Sequence, residues 1–455
     1  METTGDRSGL SATWQRGFDW VERELGGHIV SWERQDRWRP AWFLELERAG
    51  ERVPLYWRGA RSEFHRTTKP LEREGAVLAV LERHGIPVPH PYGVCSDPPG
   101  LLLGRLPGTF NLATEPDPAL RESTLEHYLQ LLAATHAIDP KEFVAAGMRM
   151  PADGVESCLG DLPSFEREYR RSRQRPDPMI EFAVGWVRRN VPRDRPCVSF
   201  VHCDSGQFLF EGGRVTGLID FEISYLGDPA ADLAGMRSRQ LSEPLGDLRA
   251  AVRRYGEITG SPVDPRAVDY HTIRFALSNP LSLAPLLAKP VPAMNYVQYL
   301  TWYVVYSRCP LEVMAHMLGL ELERPSLPDP SPSRSNAATR HLIEVLAQRR
   351  DRSDASAAYE EDRLYRVAEV LERSDRYRPA LESDDLDDMT ALLGHRPGSW
   401  EQGDEELEQF VLEANAEGQL DEELLRYFHR RLCREESLLE PTLRELTGAR
   451  MDPID

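Results

Sequence analysis

Residues 200–234 read FVHCDSGQFLFEGGRVTGLIDFEISYLGDPAADLA. Two β-prone runs, CVSFVH at 197–202 and RVTGLIDF at 214–221, each lead to an aspartate: Asp204 just past the first, Asp220 at the end of the second. FLFEGG, between them, adds strand character and a Gly-Gly turn. A hairpin here brings the two carboxylates close together.

Such a pair suits phosphoryl transfer. One carboxylate orients an attacking hydroxyl and takes its proton, while the other holds Mg²⁺ against the β- and γ-phosphates. Magnesium asks for hard oxygen ligands, so a neutral carbonyl beside the second carboxylate fits. Gln207, three residues past Asp204, can supply it. Asp228 and Asp232 in GDPAADLA read as a turn and helix-capping pair. His202 reads as a structural histidine bracing the loop or as an acid or base, and Cys203 as a small packing residue.

Upstream, HIVSWER, AWFLELER and RVPLYWR alternate apolar and polar side chains between polar breaks, the pattern of an antiparallel meander over 28–58. LEREGAVLAVLER (71–83) carries its apolar residues at one-face helical spacing, and PYGVC and GLLLGRLPG read as two more strands, with PG closing the second. Helical periodicity then dominates, over 117–137, 177–190, 243–258 and 291–319. ERPSLPDPSPSRSN (323–336) reads as a linker, and an acidic, helix-rich segment follows it.

Composition narrows the function. The net charge is −19, and residues 331–455 hold 30 acidic and 17 basic side chains, so −13 lies there and −6 in the rest. Without a basic stripe, nucleic-acid binding is disfavoured. No apolar run reaches the ~20 residues of a membrane span, and the N-terminus lacks a signal-peptide pattern. The six cysteines show no CxxC spacing, which speaks against a zinc site or disulfide framework and for a reducing cytoplasm. Neither GxSxG nor HExxH occurs, so a hydrolase is disfavoured.

The motifs His202-Cys203-Asp204, Ile219-Asp220-Phe221-Glu222 and Gly227-Asp228-Pro229 with Asp232-Leu233-Ala234 resemble those of the aminoglycoside phosphotransferase and choline kinase-like family. The likeness runs over roughly residues 15–325. It implies an α+β, two-lobed protein-kinase-like fold: an N-lobe with a small antiparallel sheet (1–108) and a mainly helical C-lobe (109–325). The linker (326–336) and an all-α C-terminal domain (337–455) follow. It also implies ATP and Mg²⁺ as cofactors, Asp204 with His202 in the catalytic loop, and Asp220 with Gln207 on the metal. Glu74 would pair with the phosphate-binding base, and backbone groups near Leu103, Gly104 and Arg105 would meet adenine.

The chain departs from the family pattern in three places. The catalytic loop is two residues shorter, with Gln207 where Asn is usual. Arg58 occupies the position of the phosphate-binding lysine, and Lys69 is the competing cation; a planar fork is not equivalent to an ammonium point charge. The first hairpin turn, ERQDRWRP, lacks phosphate-wrapping glycines. The departures motivate an alternative reading, a catalytically degenerate module that binds nucleotide or partners.

The resemblance implies a small-molecule hydroxyl as the acceptor. VSWERQDRWRPAWFLELER, HCDSGQFLF and the helical tail resemble the branch linked to acyl-CoA catabolism, which implies a hydroxyacyl-CoA thioester. An aminoglycoside or another small alcohol is the alternative. The tail resembles a fused helical companion serving as scaffold or lid; its plain structural reading is an appendage that stabilises the C-lobe or a homodimer.

Overall fold

In the computed structural model, residues 2–3, 7, 9–35, 39–60, 69–195, 197–292, 294–349, 355–413 and 415–454 are described. The chain divides into two compact units, residues 1–160 with 194–263, and residues 161–193 with 264–455.

The first unit is built on a six-stranded antiparallel sheet in the order β1-β2-β3-β4-β6-β5. The strands are β1 (Glu2–Thr3), β2 (His28–Arg34), β3 (Ala41–Arg48), β4 (Glu51–Gly59), β5 (Pro91–Ser96) and β6 (Pro99–Gly104). Alternation sorts their side chains between two faces. Leu55 and Trp57 of β4 enter an aromatic-rich core with Trp32, Trp42 and Leu44, covered by Phe18 and Val21 of helix α1 (Ala12–Leu25). Trp14, Phe18, Val21 and Leu25 form a helical stripe along α1, and Gly26 ends the helix in the left-handed region at φ 68°. Arg58 therefore faces the opposite side of the sheet, where it meets α2 (Leu71–Arg83). The turn expected without glycines between β2 and β3 falls on residues 36–38, which lie outside the described residues.

The remainder of this unit carries the loops with Asp204 and Asp220. Strand β7 (Ser199–Val201) pairs with β10 (Tyr225–Gly227), and β8 (Phe208–Glu211) pairs with β9 (Arg214–Leu218). Helices α3 (Pro118–His136), α4 (Pro140–Ala145), α5 (Gly154–Leu159), α8 (Ala230–Arg239) and α9 (Leu248–Thr259) complete it. Asp117 caps α3 and Asp247 caps α9, each accepting a first-turn N–H.

The second unit is wholly helical among its described residues: α6 (Leu162–Ser172), α7 (Pro178–Arg189), α10 (Pro265–Ala276), α11 (Ser278–Ala288), α12 (Tyr296–Leu318), α13 (Asn336–Arg349), α14 (Ala355–Leu393), α15 (Trp400–Glu413) and α16 (Asp421–Leu439). The tail helices are not separate from the others. Glu408 of α15 accepts Asp177 N–H at 2.8 Å and Arg173 at 2.6 Å, and Phe182 of α7 packs on Phe428 of α16. The Pro/Ser-rich stretch lies along α14, with Ser331 and Ser333 bonded to Arg376 O and Asp375. Tyr303 donates to Asp177 at 2.6 Å, yet burial pushes that carboxyl up to about 6. No helix among the described residues is long and apolar enough to cross a membrane.

Candidate active site

Every residue proposed for the site lies in the first unit. The loop after β7 makes a sharp turn in which Cys203 takes φ 77°, a region that costs a side-chain-bearing residue roughly 1 kcal/mol or more. This is the central position of His202-Cys203-Asp204. The strained turn is clamped from α8. Asp232, fully buried, accepts His202 N–H at 3.0 Å and Cys203 N–H at 2.8 Å, and takes a third bond from His136 Nε2 at 2.9 Å. Gly235 permits the approach, since a Cβ there would stand 2.4 Å from Cys203 O.

Asp232 thus differs from its sequence reading. It does not cap its own helix but holds the backbone of another loop. Asp228 does accept Ala230 N–H at 3.0 Å at the start of α8, and also holds Arg195 through both oxygens.

Tyr128 supports the same loop from α3. Its hydroxyl lies 2.5 Å from Ser205 Oγ and accepts Gly206 N–H at 2.7 Å, with Gly206 at φ 90°. We expect Tyr128→Phe to cost about 1–3 kcal/mol, because a buried N–H loses its acceptor. A fall in the urea midpoint with unchanged slope would show it, and an unchanged midpoint would refute it.

Asp204 and Asp220 are brought together. Gln207 Nε2 donates to Asp204 Oδ2 at 2.6 Å and approaches Asp220 Oδ2 at 3.5 Å, so one amide spans both carboxylates. Both remain reachable, their side chains 30% and 28% exposed. Asp220 sits at φ 68°, which turns the chain sharply out of β9. His202 is buried and bonds Ile219 O at 2.9 Å and Asp220 O at 3.1 Å while stacking on Phe221. It thereby ties the loop of Asp204 to the loop of Asp220.

The cations lie on the other side of Asp220. Arg58 pairs with Glu74 of α2 and donates to Glu222 at 2.8 Å. Arg39 donates twice to Glu222, at 3.0 and 3.2 Å. Both guanidiniums stand near Asp220 Oδ1, Arg58 at 3.7 Å and Arg39 at 3.8 Å. Burial works against the Arg58 charge, but Glu74 and Asp220 outweigh it and hold its pKa above the usual arginine value. For Glu74 burial prevails over the attraction of Arg58 and raises the carboxyl. Arg73 fastens α2 to this loop, donating to Ser224 O and Glu222 O.

At the proposed hinge, Gly104 N–H bonds His90 O and Arg105 N–H bonds Pro54 O, both at 3.0 Å or less. The Arg105 side chain lies over Phe43, 4.0 Å from the ring centre. The sequence reading did not find Arg39, nor Arg239 of α8, which pairs with Asp204 Oδ1 and reaches Glu243 at 2.9 Å.

A metal ion of the magnesium type fits the donors present. Asp220 offers a carboxylate whose Oδ2 edge faces away from the arginines, and a half-turn of the Gln207 amide presents Oε1 beside it. The donors are oxygens throughout, without cysteine or histidine.

Residues 33–271, more than half of the chain, match the sequence profile of the phosphotransferase enzyme family. The chain belongs to the phosphotransferase enzyme family. Known proteins resemble it over shorter stretches. Acyl-CoA dehydrogenase family member 10 of Mus musculus is 26% identical over 176 residues, 36% of this chain and 16% of that protein. Acyl-CoA dehydrogenase family member 11 of Gallus gallus is 28% identical over 179 residues, 36% of this chain and 22% of that protein. This phosphotransferase-family chain therefore matches about a fifth or less of each relative's length.

Among solved structures, macrolide 2′-phosphotransferase MphH from Brachybacterium faecium aligns at a TM-score of 0.44 and 22% identity. The alignment covers 61% of this chain and 94% of that one. A thermostable variant of aminoglycoside phosphotransferase APH(4)-Ia, in complex with AMP-PNP and hygromycin B, aligns at 0.46 and 15% identity, covering 66% and 98%.

Proposed function

We propose that this protein is an ATP-dependent small-molecule kinase that passes the γ-phosphoryl group to an acceptor hydroxyl. The observation that carries the reading is the single Gln207 amide spanning Asp204 and Asp220. Membership of the phosphotransferase enzyme family supports it.

In this reading Asp204 orients the acceptor hydroxyl and takes its proton as the oxygen attacks. Arg239 holds the carboxylate of Asp204 by its Oδ1 edge. Asp220 and Gln207 would hold Mg²⁺, which supplies charge neutralisation on the phosphates when bound. Arg58, fixed by Glu74 and Glu222, adds positive charge on the opposite side. His202 moves no proton; it keeps the two loops in register.

For the acceptor we propose a hydroxyacyl-CoA. Its support is the naming of the sequence relatives as acyl-CoA dehydrogenase family members 10 and 11. The test is Mg²⁺-dependent ADP release, screened against hydroxyacyl-CoAs, aminoglycosides and choline-like alcohols. Stimulation by the first class alone is the expected result; stimulation by another class overturns the acceptor and keeps the kinase.

Asp220→Asn separates a working kinase from a nucleotide-binding module without chemistry. Asparagine tolerates the left-handed backbone, so the loop keeps its path while the metal loses its anionic ligand. We expect Mg²⁺ to stop enhancing ATP binding in this variant, read by calorimetry with and without the metal. Undiminished Mg²⁺ enhancement would remove Asp220 from the metal site.

A further inference from the structure

Glu222 gathers more positive charge than a bracing carboxylate needs. It accepts two bonds from Arg39 and one from Arg58, and all three side chains are buried, Arg39 being 7% exposed. Holding two guanidiniums together out of water is costly. Apolar residues of similar volume would brace the same place at equal or lower cost, so stability alone gives no reason for the cluster.

Its orientation gives one. Both arginines are directed at Oδ1 of Asp220, the edge away from Gln207, and Arg58 Nε is buried with no acceptor among the described residues. The sequence supplies the complement: residues 28–49 contain no glycine, and the first lysine of the chain is Lys69. A glycine-lined backbone wrap and an ammonium, two common ways of meeting phosphates, are therefore both missing from β2, β3 and β4.

We infer that Arg39 and Arg58 form a two-guanidinium clamp for the phosphate chain of the nucleotide, spaced and aimed by their shared carboxylate, Glu222. The inference rests on the nucleotide site proposed above and extends it to two residues, Arg39 and Glu222, that had no role in it. A guanidinium carries five donors in a planar fork, so Arg39 can keep Glu222 with one edge and meet a phosphate oxygen with another N–H.

The test is calorimetric titration of the full chain, without Mg²⁺, using ATP, tripolyphosphate and adenosine as three separate probes. Arg39→Met is expected to weaken ATP and tripolyphosphate by about tenfold or more, the loss of charge-assisted hydrogen bonds, and to leave adenosine unchanged. Arg39→Lys should recover part of the loss. Because Arg39→Met strands part of a buried carboxylate, the double variant Arg39→Met with Glu222→Gln is measured beside it. Its thermal midpoint should return toward wild type while phosphate binding stays weak.

Tripolyphosphate binding at the wild-type level in the double variant overturns the clamp. So does an equal loss for adenosine, which would mean that the cluster only holds the cleft in shape. If the wild type binds ATP and Arg39→Met binds it equally well, the clamp fails and the kinase reading survives. A wild-type protein that binds neither ATP nor tripolyphosphate overturns both.

Discussion

Replacing Asp204 by alanine should lower acceptor-dependent ADP release by roughly 10²–10⁴-fold, the usual worth of a positioned general base, while ATP binding changes little. The separation follows from where the residue stands. Asp204 contacts Gln207 and Arg239, and its remaining surface is open to an acceptor. The cations on the far side of Asp220 do not touch it. Removing the carboxylate therefore takes away the proton acceptor and leaves the arginines in place. Arg239 retains Glu243 as a partner, so no guanidinium is stranded. The measurement is kcat at saturating ATP together with the dissociation constant for ATP. Full turnover in Asp204→Ala would end the kinase mechanism, and a matching collapse of ATP binding would place Asp204 with the nucleotide.

The largest expected effect on stability falls on Asp232, which the reaction does not use directly. Asp232→Ala should destabilise the protein by about 3–5 kcal/mol, the range for removing one member of a buried ionic or hydrogen-bonded group. Two backbone N–H groups, those of His202 and Cys203, lose their acceptors, and so does His136. The loop these groups belong to already carries a left-handed Cys203, whose conformation persists only because its surroundings impose it. Asp232→Asn is the informative companion, since one of its two positions becomes a donor aimed at an N–H. Urea denaturation of both variants measures the effect. A loss below about 1 kcal/mol in Asp232→Ala would show that the loop finds other partners.

Much of this architecture can be read from sequence because local patterns report local facts. Alternation in AWFLELER and RVPLYWR gave two strands, one-face spacing gave α2, and the Gly-Gly turn gave the β8–β9 hairpin that places Asp220 near Asp204. The pairing of Arg58 with Glu74 was accessible through the family pattern, at a separation of 16 residues. Arg39 and Glu222 were not, because they stand 183 positions apart and periodicity tells which face a side chain takes, not which partner it meets. Asp232 was misjudged for a related reason. An aspartate in the first turn of a helix normally serves that helix, and only the close approach allowed by Gly235 gives it another loop to serve. Helix α1 was not among the expected elements, although Trp14, Phe18, Val21 and Leu25 mark it as a one-face stripe.

The two-armed grip of Arg58 also constrains the order in which the sequence can change. One arm meets Glu74 on α2 and the other meets Glu222 beyond β9, so the residue answers to two distant positions at once. A lysine at 58 has a single terminus, and with Glu222 unchanged it leaves that carboxylate one donor short. A neutral residue at 222 arriving first leaves an arm of Arg58, and both bonds of Arg39, without their anion. Either single step is expected to give a less stable protein, and the change at 222 also calls for a change at 39. Positions 39, 58 and 222 are thus coupled, and an exchange at one of them is felt at the other two.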